Sequence, residues 1–151
     1  MNLLPATAAE TPAMAAAHAH CFDAPWREDE FEDLLEGEGI FGFLADDGAP
    51  LGVIVCRIAA DEMEVLTLGV PPGARRRGIG LALMTAALQQ ARARRASAAF
   101  LEVDVANAAA VALYERLGFQ VAGLRRGYYD RGAAGKADAL VMRLDLRPAS
   151  A

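Results

Sequence analysis

The stretch Arg75-Arg76-Arg77-Gly78-Ile79-Gly80 follows Pro71-Pro72-Gly73 and leads into an apolar segment. Glycines let a backbone approach an anion closely, unpaired amides at a helix N-terminus point at it, and arginines add forked positive charge. Arginines in a first helical turn oppose the helix dipole, so their presence there calls for a ligand. The chemistry that fits is a cradle for a diphosphate, weighed against a plain surface helix with a basic first turn. A nucleotide triphosphatase does not fit, because no Lys-Ser/Thr pair follows Gly80 to hold phosphate and magnesium. Other reactive side chains are sparse. Cys56 lies in an apolar run and reads as core, and Cys21 has no metal or redox spacing. His18 and His20 stand two apart on an expected helix and cannot share a face, so no metal site is expected.

The elements that must position the cradle follow from periodicity. Thr11-Pro12 reads as an N-cap with proline at the first helical position, opening a helix over 11–21. Residues 28–36 place Phe31, Leu34 and Leu35 on one face of a second, acidic helix that Gly37 and Gly39 end. Strands are expected at 40–45, 51–58 and 62–70, an antiparallel meander whose first turn is Asp46-Asp47-Gly48. A helix of about four turns follows the cradle, with Leu81, Met84, Leu88 and Ala91 as its buried stripe. A strand at 98–105 precedes a helix at 107–117 with Ala110, Leu113, Tyr114 and Leu117 inward, Asn107 as N-cap and Gly118 as C-terminal cap. Strands at 119–129 and 139–146 flank a polar loop. The strand-helix-strand unit over 62–105 implies a locally parallel pair. The fold expected is a single α/β domain over 1–147, a mixed sheet of about seven strands with about four helices, and a short tail at 148–151.

Composition narrows the partners. The 151 residues carry a net charge of -5, yet the halves differ sharply. Up to Val70 there are 14 acidic against 2 basic residues; beyond it, 6 against 13. Two kinds of ligand on one small body are implied. Eight acids and only Arg27 occupy residues 23–38, either a solvated helix face or a wall that attracts a cation. An acidic chain of pI near 5.0 is a poor nucleic-acid binder. A hydrophobic content of 54% looks membrane-like until alanine, more than a fifth of the chain, is discounted. No run reaches the roughly 18 apolar residues of a spanning helix. Without a basic, apolar leader and with two unpaired cysteines, the expected compartment is the cytoplasm, with no membrane partner.

Two longer motifs carry a family resemblance. Glu64-Val65-Leu66-Thr67-Leu68-Gly69-Val70 followed by Arg75-x-x-Gly78-x-Gly80 resembles the acetyl-coenzyme A motif of the GNAT superfamily of N-acetyltransferases. Leu101-Glu102-Val103 through Asn107-x-x-Ala110-x-x-Leu113-Tyr114-x-x-Leu117-Gly118-Phe119 resembles that superfamily's later motif. It is similar to the RimI-like branch, the ribosomal-protein alanine N-acetyltransferases. Ala24-Pro25-Trp26 and Arg125-Arg126-Gly127-Tyr128-Tyr129 also match that branch, so the resemblance spans residues 22–144.

The resemblance implies an enzyme using acetyl-CoA without a metal. Leu68, Gly69 and Val70 would pair with the pantetheine arm. Arg76, Arg77, Gly78, Ile79, Gly80 and Leu81 would wrap the pyrophosphate, and Asn107 would also contact the coenzyme. Glu102 is the implied base, with Glu64 its rival, and Tyr114 the implied acid. Trp26, Tyr128 and Tyr129 would line the acceptor groove. The acceptor implied is a protein N-terminus, a ribosomal protein foremost, attacked directly in a ternary complex. A terminal α-amine, with a pKa of about 7.7 to 8.0, needs less help than a lysine at about 10.4. A small-molecule amine or lysine acetyltransferase, or a non-catalytic acetyl-CoA sensor, are the alternatives. Asp104, Ala106 and Asp130 depart from the branch pattern and bear on acceptor identity. Oligomeric state is not legible in these residues.

Overall fold

The computed structural model describes residues 1–130 and 135–147, except the side chains of Tyr129, Asp130 and Lys136. The chain order is β1 (Asn2–Pro5), α1 (Thr11–His18), α2 (Glu28–Leu35), β2 (Ile40–Asp46), β3 (Pro50–Ala59) and β4 (Glu62–Gly69). It continues with α3 (Ile79–Ala93), β5 (Ala98–Asp104), α4 (Ala108–Arg116), β6 (Gln120–Asp130) and β7 (Lys136–Asp145). One seven-stranded sheet has the order β1-β2-β3-β4-β5-β7-β6. The β1–β4 ladder is antiparallel throughout, and β4–β5 is the parallel pair, as the crossover through α3 requires. The mixed α/β sheet and its four helices match the sequence expectation.

Local signals work as read at several boundaries. Gly48 turns the β2–β3 hairpin at φ +107 while its N–H donates to Asp46 Oδ1 at 2.7 Å. Asn107 Oδ1 accepts from Ala110 N at 3.1 Å and caps α4, and Gly118 leaves the helix at φ +99. Other boundaries are corrected. Helix α1 ends at His18, not at residue 21, and Thr11 is its first residue with Glu10 at the N-cap. The Thr11 hydroxyl instead donates back to Ala8 O at 2.9 Å. In α3, Leu81 is only half-buried on the outer side, and the inward stripe is Ile79, Leu83, Met84, Ala87, Leu88 and Ala91. Met84, Leu88 and Ala91 are buried as expected, and Leu81 alone departs from the expected stripe. The loop expected before residue 139 is shorter, because β7 already starts at Lys136.

Helices cover both faces of the sheet, unequally. The larger core packs α3 and α4 on strands β2 to β5 and β7, with Ile54, Met63, Leu83, Met84, Leu101 and Met142 essentially solvent-free. The smaller core packs α1 and α2 on the other face through Met14, Phe31, Leu44, Val53 and Val55. Phe31, fully buried, contributes about 2 to 3 kcal/mol of apolar burial. Among the described residues this smaller core takes nothing from β5, β6 or β7. The face that carries Glu102 is therefore left open by the helices. No helix among the described residues is long and apolar enough to cross a membrane.

Candidate active site

Parallel pairing of β4 with β5 covers only Glu62 to Ala98, Met63 to Ala99 and Glu64 to Phe100. Beyond that the strands part. The cause is legible in the β3–β4 register, where Cys56 pairs with Val65 and Val55 with Thr67, leaving Leu66 as an extra residue. Such a bulge bends its strand and raises its twist. Over residues 65–69 the edge of β4 away from β3 consequently loses its ladder partner. An extended ligand arm can pair with backbone groups exposed this way. Leu68 and Gly69 lie on this edge while pairing with Ile54 and Val53 of β3 on the other. Val70 follows the strand end, and its carbonyl accepts from Arg75 Nε at 3.0 Å.

The cradle closes one end of the gap. Arg76 and Gly78 both have positive φ, at +65 and +75, with Arg77 between them outside that region. Alternation of this kind turns successive N–H groups to one side and forms an anion-binding concavity. Gly78 is the N-cap of α3 and no side chain caps it, so helix geometry leaves the N–H groups of Ile79, Gly80 and Leu81 without intrahelical partners. A Cβ built on Gly78 would meet nothing within 4 Å, so the space before the helix is open. At Gly80 a Cβ would lie 3.3 Å from Leu113 Cδ2, and this close approach brings α4 beside the cradle. The three arginines differ in placement. Arg75 ties to the strand end, Arg77 pairs with Asp47 of the β2–β3 turn at 3.6 Å, and Arg76 is exposed. The donor set fits a diphosphate.

The other end is ionic. A cavity of about 300 Å³ is lined by Arg57, Glu62, Glu64, Phe100, Glu102 and Val141, among others. Leu101 and Val103 point into the larger core, so Glu102 faces the opposite, open side. Arg125 Nη1 donates to Glu102 Oε1 at 2.6 Å, and Arg57 Nη2 donates to Glu64 Oε2 at 3.1 Å. Arg125 sits on β6 and reaches Glu102 across β7. A second bulge shapes this approach, where Arg125 pairs with Ala139 but Tyr129 with Ala137. Gly127, at φ +62, donates its N–H to Asp138 Oδ1 at 2.8 Å within that bulge. The Arg125 guanidinium lies 4.2 Å from the centre of the Tyr128 ring. Burial, then the Glu102 charge and a hydrogen bond to it, push the Tyr128 phenol up, against the opposing pull of Arg125.

An open strand edge running from an anion cradle to a carboxylate cavity is the arrangement an acyl-carrier enzyme needs, and residues 10–119 match the model of the Acetyltransferase (GNAT) family. The chain belongs to that family. It is 35% identical over 143 residues to the [ribosomal protein bS18]-alanine N-acetyltransferase of Escherichia coli K12, covering 91% of this chain and 94% of that one. It is 46% identical over 84 residues to the N-alpha-acetyltransferase RimI of Mycobacterium tuberculosis, covering 56% of this chain and 49% of that one. The crystal structure of the ribosomal-protein-S18-alanine N-acetyltransferase from Escherichia coli superposes with a TM-score of 0.88. There the identity is 30%, over 99% of this chain and 96% of that one.

In this GNAT enzyme the expected site residues beyond the cradle are spread over several elements. Glu102, Glu64 and Tyr128 meet at the ionic end. Tyr114 is buried in the larger core, its ring 6.0 Å from Phe119 and edge-on, on the face of β5 opposite Glu102. Trp26 is half-buried and packs against the smaller core, 5.1 Å from the ring of His18 and 5.4 Å from that of Phe31. The side chain of Tyr129 lies outside the described residues. Asn107 serves first as a helix cap.

Sequence reading missed His18. It is 1% exposed, its Nδ1 accepts from Trp26 N at 3.0 Å, and Nε2 lies 2.9 Å from Thr67 Oγ1. The Trp26 bond places the proton on Nε2, which donates to Thr67. Burial drives this histidine from 6.5 to about 4, so the ring is neutral, although the Glu30 charge pulls the other way. His18 thereby ties α1 and the following loop to β4 beside the bulge. The i, i+4 spacing from Met14 was the signal that could have found it. Phe22 was also missed: a Cβ on Gly69 would sit 2.9 Å from Cys21 Sγ and 3.4 Å from Phe22 Cε2. Only a glycine admits that packing at the end of β4.

Proposed function

We propose that this acetyltransferase acetylates the N-terminal α-amine of a protein, a ribosomal protein foremost, by direct attack in a ternary complex in the cytoplasm. The observation that carries the reading is the parting of β4 from β5 after Glu64, with the cradle at one end and Glu102 at the other. Similarity to the Escherichia coli and Mycobacterium enzymes over these motifs supports the choice of acceptor. Acetyl-CoA, when bound, supplies an activated acetyl thioester. Leu68, Gly69 and Val70 offer backbone groups to its arm. Arg76, Arg77, Gly78, Ile79, Gly80 and Leu81 hold its pyrophosphate, with Asn107 alongside. Tyr128 and Tyr129 orient the acceptor, and Trp26 supports that wall from the smaller core. Glu102 takes the proton that the amine loses as its N–C bond forms. The Tyr114 hydroxyl supplies the proton that the sulfur gains as the S–C bond breaks. Glu102 and Tyr114 lie on opposite faces of β5. An α-amine has an appreciable neutral fraction near pH 7, so one positioned carboxylate suffices.

Thiol release measured with N-terminal peptides, N-terminally blocked lysine peptides and polyamines tests this. Turnover confined to free α-amines is expected. Tight acetyl-CoA binding with no acceptor turned over would overturn the enzyme reading, and selective lysine or polyamine turnover would overturn the acceptor.

A further inference from the structure

Of the three carboxylates that line the cavity, Glu64 and Glu102 are already paired with arginines that cannot be deprotonated, Glu64 with Arg57 and Glu102 with Arg125, while Glu62 lies at its rim. An acceptor amine reaching Glu102 therefore meets a carboxylate–guanidinium pair. Arg125 is held from three sides: by Glu102 at 2.6 Å, by the Tyr128 face at 4.2 Å, and by a β6 bulge pinned through Asp138. We propose that Arg125 is a specificity-determining residue that selects weakly basic α-amines against groups that are almost wholly ammonium at neutral pH, such as lysine side chains. The inference rests on the proposed α-amine activity and assigns its discrimination to one side chain.

The argument is electrostatic. At neutral pH a lysine, with a pKa of about 10.4, arrives almost wholly as ammonium, while an α-amine of about 7.7 to 8.0 is partly neutral. A neutral amine can donate to Glu102 while the guanidinium stays. An ammonium must either displace Arg125 or sit a few ångströms from it, and in a half-solvated site one unit charge at that range is worth about tenfold or more. The Glu102 side chain is 24% exposed and that of Arg125 55%, so solvent weakens the repulsion without abolishing it. Removing the guanidinium would leave Glu102 able to bind an ammonium directly. The selectivity would then narrow through KM for the lysine acceptor.

The test compares kcat and KM on two matched peptides, one with a free N-terminus and no lysine, the other N-terminally blocked with a single lysine. Wild type, Arg125→Gln and Arg125→Lys are assayed, each with a thermal melt and an acetyl-CoA binding measurement. Arg125→Gln is expected to narrow the α-amine preference about tenfold, chiefly by lowering KM for the lysine peptide, and Arg125→Lys to retain the wild-type ratio. If Arg125→Gln lowers both activities equally, the residue only positions Glu102 and this proposal fails while the α-amine reading stands. If Arg125→Lys loses selectivity as far as Arg125→Gln, charge is not the cause and the proposal fails likewise. A wild type that acetylates neither peptide, or prefers lysine, overturns both readings together.

Discussion

Strand β4 passes through two environments within a few residues. At Thr67 it lies under α1, where His18, Trp26 and Phe31 form a packed aromatic cluster and the only titratable ring is held neutral. At Glu64 it borders an open cavity in which Glu64 and Glu102 each meet a guanidinium group. In a regular strand residues 64 and 67 would face opposite sides; the extra Leu66 brings both to the same face. The buried region answers burial by removing charge, since an unpaired buried ion is costly. The open region keeps its charges and pairs them, as proton transfer requires groups that can titrate. The first holds the wall in place, and the second is where chemistry can occur.

The widest separation between the regions is expected from Glu102→Gln. A general base contributes about 10²- to 10⁴-fold, so kcat should fall by that order while acetyl-CoA affinity and melting temperature hardly change. An unchanged rate would move the base to Glu64 or to water and take the catalytic claim from Glu102.

His18→Leu should do the reverse. It removes two hydrogen bonds from a packed site and strands the Thr67 hydroxyl and Trp26 N–H, costing about 3 kcal/mol in urea or thermal unfolding. A stability loss below the uncertainty of the measurement would break the contrast. The same ring gives a pH dependence. Its pKa is about 4 folded against 6.5 unfolded, so between those values only the unfolded chain binds the proton. Stability should therefore fall as pH drops from about 6.5 toward 4, by up to about 3 kcal/mol, and the Leu variant should lose that slope. The smallest effect belongs to Arg57→Ala. The Arg57–Glu64 pair is about half exposed on both sides, so its loss should cost less than about 0.5 kcal/mol in the same unfolding assay.

Much of the scaffold was legible in the chain because its signals are local. A glycine free to take φ +75 before α3, an asparagine capping α4 and a glycine leaving it at φ +99 act within one turn of their own position. Alternation placed Glu102 opposite Leu101 and Val103 without knowledge of any partner. The end of α1 and the burial of Leu81 departed from that local reading.

The site depended on contacts that no local pattern encodes. Glu102 and Arg125 are 23 residues apart, and His18 and Thr67 are 49 apart. Bulges at Leu66 and around Gly127 interrupt the ladders beside the site, and the single extra residue at Leu66 reverses the alternation of β4. Trp26 shows the same dependence, because its stacking on His18 joins residues that no local pattern pairs. The sequence by itself determined the elements, the glycine turn before α3 and the family, because capping, φ preference and periodicity are properties of neighbouring residues. Tertiary structure decided which carboxylate meets which arginine and where the sheet parts, because register and burial are set only when distant strands pair.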